Sequence, residues 1–281
     1  SEDGFSGTPV KDTRLEKTIK KYGLITSDNA ILSVLSNKYL LIGKDLRQMS
    51  ATLYKSFDGG YCWLISLSNG IPYDDEYDPD PGEEKPRYLV TVLDAKDGRL
   101  LYFKASLDEV RTKDDIIYSK AKAKKLFRKF LKTQTGDEYS LLNISSVNGY
   151  ADIYDEISDD FYVSRYNFDY TRFCNGIPFN DNGVRGGVDL TTGRIYYYSY
   201  VWNELEIPAS DGVIEPSHAV RSMYGAGEYA DNTLIWTVPY REYGDISPVT
   251  ARLVYRYEIY TGIVDAFSGN ALYYDGTEVT E

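Results

Sequence analysis

The chain contains one histidine, His218, so a Ser-His-Asp or Cys-His catalytic arrangement would have to use it. His218 stands in the segment IEPSHAV, at the expected start of a helix and beside no nucleophile loop. One histidine and two cysteines are too few for a zinc site built from several His and Cys ligands. The sequence also lacks a Gly-rich phosphate loop that ends in Lys-Ser or Lys-Thr. We therefore expect a surface or capping role for His218 and no catalytic residue.

Carboxylates are plentiful, so a hydrolase that uses a pair of acidic residues stays open as an alternative. The densest acidic run, DDEYDPDPGEE at 74–84, offers the hard oxygen ligands that calcium prefers. Its spacing is not that of an EF-hand loop, and its two prolines favour an extended, solvated loop. We expect no metal and no cofactor, with calcium in this run as the alternative. Its ligands would be Asp74, Asp75, Asp78 and Asp80.

The composition limits the partners. The net charge of −12 disfavours nucleic acid and anionic lipid surfaces. No apolar run approaches the roughly 20 residues that a membrane-spanning helix needs. Two cysteines do not make a disulfide scaffold, so we expect Cys62 and Cys174 to be thiols, with a bridge between them as the alternative. The 28 tyrosines favour a sheet-rich protein with some exposed aromatic faces.

Short motifs recur along the chain. NGIPY at 69–73 is repeated as NGIPF at 175–179. A second motif, apolar-Asp-x-x-x-Gly followed by an apolar or aromatic run, occurs three times. Its members are Asp94 with Gly98, Asp189 with Gly193, and Asp265 with Gly269. We interpret all of these as turns, because Asp can accept hydrogen bonds from its own turn and Gly tolerates positive φ. Asn175, Gly176 and Pro178 receive the same structural role.

Helix signals precede each of these turns. The segments ITSDNA (25–30), YSKAKA (118–123) and IEPSHA (214–219) each place Ala five residues after an apolar residue. In the middle copy Ala123, Leu126, Phe127, Phe130 and Leu131 form one apolar stripe at helical spacing. Strand-like runs rich in Val, Ile, Tyr and Phe follow at 140–147, 161–173, 184–190 and 194–202.

These patterns predict an α+β fold of three tandem units, each with one helix packed on an antiparallel sheet of about four strands. The expected boundaries are an N-terminal helical extension at 1–24, with its helix at 12–22, and units at 25–108, 115–206 and 213–276, the last one shorter. Unit lengths differ through insertions, chiefly the acidic run in the first unit and YADIYDEISDD at 150–160 in the second. We expect both insertions to be surface loops.

The order of the motifs resembles the YcdB/YcdC repeated-domain family. The residues that carry this resemblance are apolar-x-Ser-x-x-Ala opening a helix, NGIPF before VDLTTG, the following Trp202, and then LVYRYE and VDAFSG. The resemblance covers about 25–276 and is strongest over 160–276. It groups the chain with PepSY-like modules, which also occur in the propeptides of thermolysin-type metalloproteases. It implies a non-catalytic bacterial protein that is secreted or lies at the cell surface. The chain begins at Ser1 without Met, so we expect any export signal upstream of it.

The expected function is binding of a protein or peptide of the cell envelope, with modulation or inhibition of a protease as one form of it. The alternatives are a wall-polymer or small-ligand binder that uses Tyr-rich sheet faces, and the carboxylate hydrolase. Because side chains alternate along a strand, we expect some of the tyrosines at 196–200 to be exposed and to bind the partner. The predicted binding residues are Tyr196, Tyr198, Tyr200 and Trp202.

Overall fold

The structure is a computed structural model. It describes residues 7–46, 48–56, 59–71, 86–106, 112–219, 232–238, 250–257, 263–273 and 277–279. The acidic run at 74–84 lies outside these ranges, and so does the calcium alternative for its four aspartates.

The described α-helices are α1 (Asp12–Tyr22), α2 (Ser27–Leu35) and α3 (Lys120–Thr135), and further helical residues occur at 216–219. The predicted helix at 12–22 is therefore confirmed. Thr26 caps α2 by accepting from Asn29 N, and Ser119 caps α3 by accepting from Lys122 N. Such caps satisfy backbone N–H groups that have no partner within the first helical turn.

Thirteen strands lie within the described ranges. They are β1 (Gly7–Pro9), β2 (Gln48–Ser56), β3 (Tyr61–Ser68), β4 (Tyr88–Asp94), β5 (Leu100–Ala105), β6 (Leu142–Asp155), β7 (Asp160–Cys174), β8 (Ile177–Asp189), β9 (Ile195–Val201), β10 (Asn232–Thr237), β11 (Arg252–Tyr257), β12 (Ile263–Asp265) and β13 (Ala271–Leu272). Hydrogen-bonded neighbours follow the order β1-β2-β3-β4-β5-β9-β8-β10-β11-β12-β13. β7 pairs with β8, and β6 pairs with β7.

The predicted fold class is wrong. The strands belong to one hydrogen-bonded mixed sheet instead of three separate antiparallel sheets with one helix each. β5 pairs antiparallel with β9, for example Phe103 with Tyr198, and β8 meets β10 in parallel at Phe179 and Trp236. The sequence repeats show where strands form, but they do not show that the outer strand of one repeat hydrogen-bonds to a strand of another. Pairing of this kind removes open edges that would leave N–H and C=O groups without partners.

The described residues group into two compact units. Unit 1 comprises those within Ser1–Tyr139, Ile144–Asp169 and Val184–Tyr200, and unit 2 comprises those within Ser140–Asn143, Tyr170–Gly183 and Val201–Glu281. The predicted sequence boundaries 1–24, 25–108, 115–206 and 213–276 are not tested by this grouping and stay a prediction.

The three Asp-x-x-x-Gly motifs form the same turn. In each, the N–H of the Gly donates to the C=O of the Asp, at 2.9 Å for Gly98 and Gly193 and 3.0 Å for Gly269. The three glycines have φ of 78°, 75° and 77°, so the predicted positive φ is confirmed. Each Asp side chain also accepts hydrogen bonds from its own turn, as Asp265 does from Phe267 N and Ser268 N. The repeated Asp and Gly are therefore explained by turn chemistry.

The residue after each of these aspartates joins the turn to a strand and to a helix. The N–H groups of Ala95, Leu190 and Ala266 donate to Tyr61 O, Ser164 O and Leu253 O respectively. Their carbonyls accept from the residue two positions before each helix begins, at 2.8 Å from Ile25 N, 3.0 Å from Tyr118 N and 2.8 Å from Ile214 N. Five residues later the repeated alanines, Ala30, Ala123 and Ala219, are all fully buried. A larger side chain would force each helix start away from the sheet.

The α3 stripe packs as predicted. Phe127 stacks on Phe168 with ring centroids 5.4 Å apart, and Phe130 meets Tyr198 edge-on at 5.1 Å. Gly186 lies directly beneath Phe127, where a Cβ would approach the ring within 2.4 Å. Cys62 and Cys174 are both buried free thiols, which confirms the thiol interpretation.

Gly193→Ala should destabilise the protein more than Gly176→Ala. Both glycines have similar positive φ, 75° and 78°, so each substitution brings backbone strain of about 1 kcal/mol. At Gly193 the added Cβ also lies 2.5 Å from Cζ of Tyr118, whereas at Gly176 nothing lies within 4 Å. Overpacking of this kind adds about 1–3 kcal/mol. Denaturant unfolding of both variants measures the difference, and equal free energies of unfolding would contradict the packing argument.

Candidate functional site

The β6–β7 hairpin is longer than the sequence pattern predicted. The strands contain 14 and 15 residues, and they include most of the segment 150–160 that we had expected to be a surface loop. That expectation is wrong, because the insertion extends an existing hairpin and keeps its backbone hydrogen bonds in a ladder. Asp159, with φ of 54°, lies in the turn just before β7 begins.

β6 is an edge strand within the described part of the chain, because β7 is its hydrogen-bonded neighbour and the other side has none. Residues Ile144–Asp155 of β6 belong to unit 1, and most of their side chains are exposed. Natural edge strands are commonly protected by Lys, Pro or very short length. β6 contains neither residue, LNISSVNGYADIYD, and it is one of the longest strands described. On its outer side β6 has no strand neighbour among the described residues, so an incoming strand would pair with its N–H and C=O groups there.

One face of the hairpin carries a row of aromatic and cationic side chains, which we call the outer row. It consists of Tyr150, Tyr154, Phe161 and Arg165. The Arg165 guanidinium lies 5.2 Å from the ring centroid of Tyr150, and the rings of Tyr154 and Phe161 are 5.1 Å apart. Phe161 is 65% exposed, and the neighbouring Ile157 is 92% exposed. Large apolar groups with this exposure commonly mark an interaction surface.

Side chains of β7 explain why β6 has a glycine at Gly149. A Cβ at this position would lie 2.9 Å from Cε1 of Tyr166 and 3.2 Å from Cγ1 of Val163. Because Gly149 has no side chain, side chains of β7 lie across β6 at this point. They cover the backbone of β6 that the glycine leaves exposed. Lys120 of α3 lies 5.4 Å from the ring centroid of Tyr166 and joins β7 to the helix.

Ion pairs hold the end of the hairpin. Lys113 Nζ lies 2.8 Å from Asp155 Oδ2, and Arg165 Nη2 lies 3.1 Å from Asp152 Oδ2. The hydrogen bond from Lys113, assisted by one from Ser158, lowers the pKa of Asp155 from 3.8 to about 2. Tyr154 Oη donates to Asp159 Oδ1 at 2.7 Å, which raises the pKa of Tyr154.

The hairpin is strongly acidic. Residues 144–169 contain six acidic side chains and one basic side chain. Two of the acidic residues belong to the ion pairs just described, which leaves Glu156, Asp159, Asp160 and Asp169. Their field favours a cationic ligand beside the outer row.

The structure places the predicted binding residues differently from the prediction. Tyr196, Tyr198 and Tyr200 are 8%, 0% and 9% exposed, so the expectation that they form an exposed surface is wrong. Tyr198 lies under α3. Tyr200 donates to Glu138 Oε2 at 2.7 Å and accepts from Arg99 Nη1 at 2.9 Å. The three rings alternate along β9 as expected for a strand, but α3 and neighbouring polar side chains cover them.

Tyr196 is the member of this set that borders the outer row. The Arg165 guanidinium lies 5.7 Å from its ring centroid, and its hydroxyl donates to Asn167 Oδ1. Burial raises the pKa of Tyr196 to about 12. Trp202, in unit 2, is half-buried. The residues of the outer row were missed, although their aromatic and β-branched alternation from 150 to 165 was visible in the sequence.

Other predicted sites are resolved as follows. Asn175 and Gly176 have φ of 53° and 78°, as a two-residue hairpin turn requires, and Ile177 begins β8 with Pro178 as its second residue.

His218 is exposed, as expected. No group of three or more potential metal ligands occurs among the described residues. None of the described helices is long and apolar enough to cross a membrane.

Residues 70–202 match the family model of the YcdB, YcdC repeated domain. The predicted family resemblance is thereby confirmed, and the matched segment includes the whole β6–β7 hairpin. The structure is also similar to the Bacillus megaterium YpeB C-terminal domain, with a TM-score of 0.47 and 14% identity over 88% of this chain and 96% of that one. No curated protein matches the chain.

Lys113→Met should raise the pKa of Asp155 from about 2 toward its ordinary value, because the largest cause of the lowering is removed. A carboxyl whose pKa is lowered by folding stabilises the protein above its unfolded pKa of 3.8, and this stabilisation is lost as the pH falls through about 2. The variant should therefore be less stable than the parent protein above about pH 3.8, and the difference should disappear as the pH falls through about 2. A carboxyl-carbon NMR titration measures the pKa. Lys122→Met, at an exposed position of α3, is the matched control. An unchanged Asp155 titration would contradict the assigned cause.

Proposed function

We propose that this chain is a non-catalytic binding module of the bacterial cell envelope or secreted fraction, and that it takes an extended segment of a partner protein along the edge of β6. The observation that carries the proposal is the long strand β6, which has β7 as its one strand neighbour within the described ranges. Strand addition supplies affinity through backbone hydrogen bonds and specificity through alternate side chains. Regulation of a protease is one role that such peptide capture would serve.

The expected ligand is an extended peptide with alternating basic and apolar residues. Basic side chains would lie near Glu156, Asp159 and Asp160, which are exposed and lie at the turn of the hairpin. Apolar side chains would lie against the exposed rings of Tyr150 and Phe161, which are 42% and 65% exposed. Aromatic anchors of this kind carry much of the affinity at protein interfaces.

The other functions considered from the sequence receive less support. A sugar or wall-polymer binder would need exposed rings on the strand 195–201, and the rings of Tyr196, Tyr198 and Tyr200 are buried. For a hydrolase, the carboxylates of the repeated turns already accept hydrogen bonds from their own turns, so they are not poised for acid–base chemistry. Location outside the cell is part of the proposal and rests on the family resemblance.

An alternating Lys-Val peptide should bind, whereas the matched Glu-Val peptide should not. Fluorescence anisotropy measures the affinity, which should fall with added salt because the charges are exposed. Hydrogen exchange of the complex should show slowed backbone amides within 144–155. Binding that leaves these amides unchanged, or equal binding of both peptides, would overturn the β6 assignment.

Tyr150→Ser should weaken the Lys-Val peptide several-fold, about 1 kcal/mol, because an aromatic contact is lost. Tyr273→Ser is the matched control, since Tyr273 is 56% exposed and lies in unit 2. Mass spectrometry of the recovered peptide tests catalysis. Cleavage that a single carboxylate substitution abolishes would replace the binding module by the hydrolase.

A further inference from the structure

Arg172 of β7 is a buried cation held between two aromatic rings in unit 2. Its guanidinium lies 4.3 Å from the ring centroid of Trp202 and 5.4 Å from that of Phe179. The residue is 9% exposed. Nη1 donates to the carbonyl of Asn203 at 2.8 Å. The two rings and this bond hold the plane of the guanidinium in one orientation.

Nε, one nitrogen of the remaining edge of the guanidinium, has no partner in the part of the chain that the structure describes. Nε is buried and makes no hydrogen bond, and no ion pair joins Arg172 to a carboxylate in the part of the chain that the structure describes. Nε and Nη2 together form the planar edge that binds two carboxylate oxygens side by side. A buried guanidinium with this edge unmatched is unfavourable, so an acceptor that carries negative charge would be bound strongly.

Asn182 supplies a second buried donor, on a side chain that contacts the same residue as Arg172 does. Asn182 of β8 is 3% exposed, and its Oδ1 accepts from Asn203 N at 2.8 Å. Its Nδ2 is buried and makes no hydrogen bond. Arg172 and Asn182 therefore contact the two peptide groups of one residue, Asn203, and both retain N–H donors. A surplus of donors around a cation is the arrangement that recognises a planar anion.

We propose that Arg172, Asn182 and Trp202 form a carboxylate-binding site in unit 2, which takes the carboxylate of a peptide, from either its C-terminus or an acidic side chain. Nε and Nη2 of Arg172 bind the two oxygens, and Asn182 Nδ2 donates to one of them. Trp202, which is half-buried, covers the guanidinium and shifts when the carboxylate enters. The site goes beyond the β6 edge and does not depend on it, because all of its residues belong to unit 2.

The indole N–H signals of an NMR spectrum give a direct readout, because the chain has three tryptophans. Trp63 and Trp236 are fully buried, and each donates its indole N–H to a backbone carbonyl at 3.1 Å. Their signals report folding, whereas the Trp202 signal reports the site. The probes are an N-acetylated tripeptide of alanine with a free C-terminus, its C-terminal amide, the amide with one Glu, and inorganic phosphate.

The Trp202 signal should shift in a saturable manner with the free-acid peptide, with the Glu peptide, or with both, and this comparison identifies the source of the carboxylate. The uncharged amide should have no effect, and phosphate should bind more weakly. A site that shifts equally with the amide or with phosphate, or a folded protein that shifts with no probe, would overturn the proposal.

Two variants test the residues. Arg172→Lys keeps the charge but loses the two-pronged edge, so the affinity should fall about tenfold or more. Asn182→Asp keeps the acceptor for Asn203 N and supplies an internal carboxylate to Arg172. It should raise the melting temperature and abolish binding of the probes. Unchanged affinity in Arg172→Lys, with the Trp63 and Trp236 signals in place, would contradict the role of the guanidinium edge, as would probe binding at full strength in Asn182→Asp.

Discussion

One residue position, repeated three times, organises the chain. The residue after each motif aspartate donates to a neighbouring strand and accepts from the residue two positions before a helix begins. The turn, the strand and the helix start are thereby joined at a single point, where all the backbone groups are paired and little room remains for side chains. This constraint explains why the motif needs Asp and Gly together, and why each helix has a buried Ala at the same distance. Further contacts support the same points, since Trp63 Nε1 donates to Ile25 O and Tyr255 Oη donates to Ile214 O.

The three junctions are alike, but the strands around them pair with different kinds of neighbours. β5 and β8 each find a partner strand from another repeat, at β9 and β10, so these edges are closed. The second repeat has an extended hairpin, and its outer strand β6 has a neighbour on one side only within the described ranges. The insertion that distinguishes this repeat therefore lengthens the open edge and brings aromatic side chains and acidic charge to it. Structure that is shared by the repeats supports the fold, whereas structure that differs between them is where binding is expected.

Two polar side-chain clusters show a similar division. Arg99, Glu138 and Tyr200 satisfy one another through hydrogen bonds of 2.7 to 3.2 Å, so this cluster fastens β9 to the turn before β5 and to the segment that follows α3. Arg172 is buried to a similar degree as Tyr200, but its charge faces aromatic rings and a carbonyl instead of a carboxylate. A cluster in which cation and carboxylate are paired stabilises a fold. A cation without a paired carboxylate, such as Arg172 among the described residues, is where we propose that a carboxylate ligand binds.

The sequence by itself determined the local structure of this protein. The turn glycines, the helix at 12–22, the α3 stripe and the resemblance to the YcdB, YcdC repeated domain were all predicted correctly, because each depends on residues close together in the chain, such as Asp189 with Gly193. Strand pairing and burial were decided by the tertiary structure. The partner of β5, the length of the β6–β7 hairpin and the covering of Tyr198 by Phe130 arise from contacts between residues far apart in sequence, and a period-two pattern does not show which face another element will cover. For the same reason the binding surface that we propose is the hairpin, where rings are exposed, and not the tyrosines of β9, which are buried.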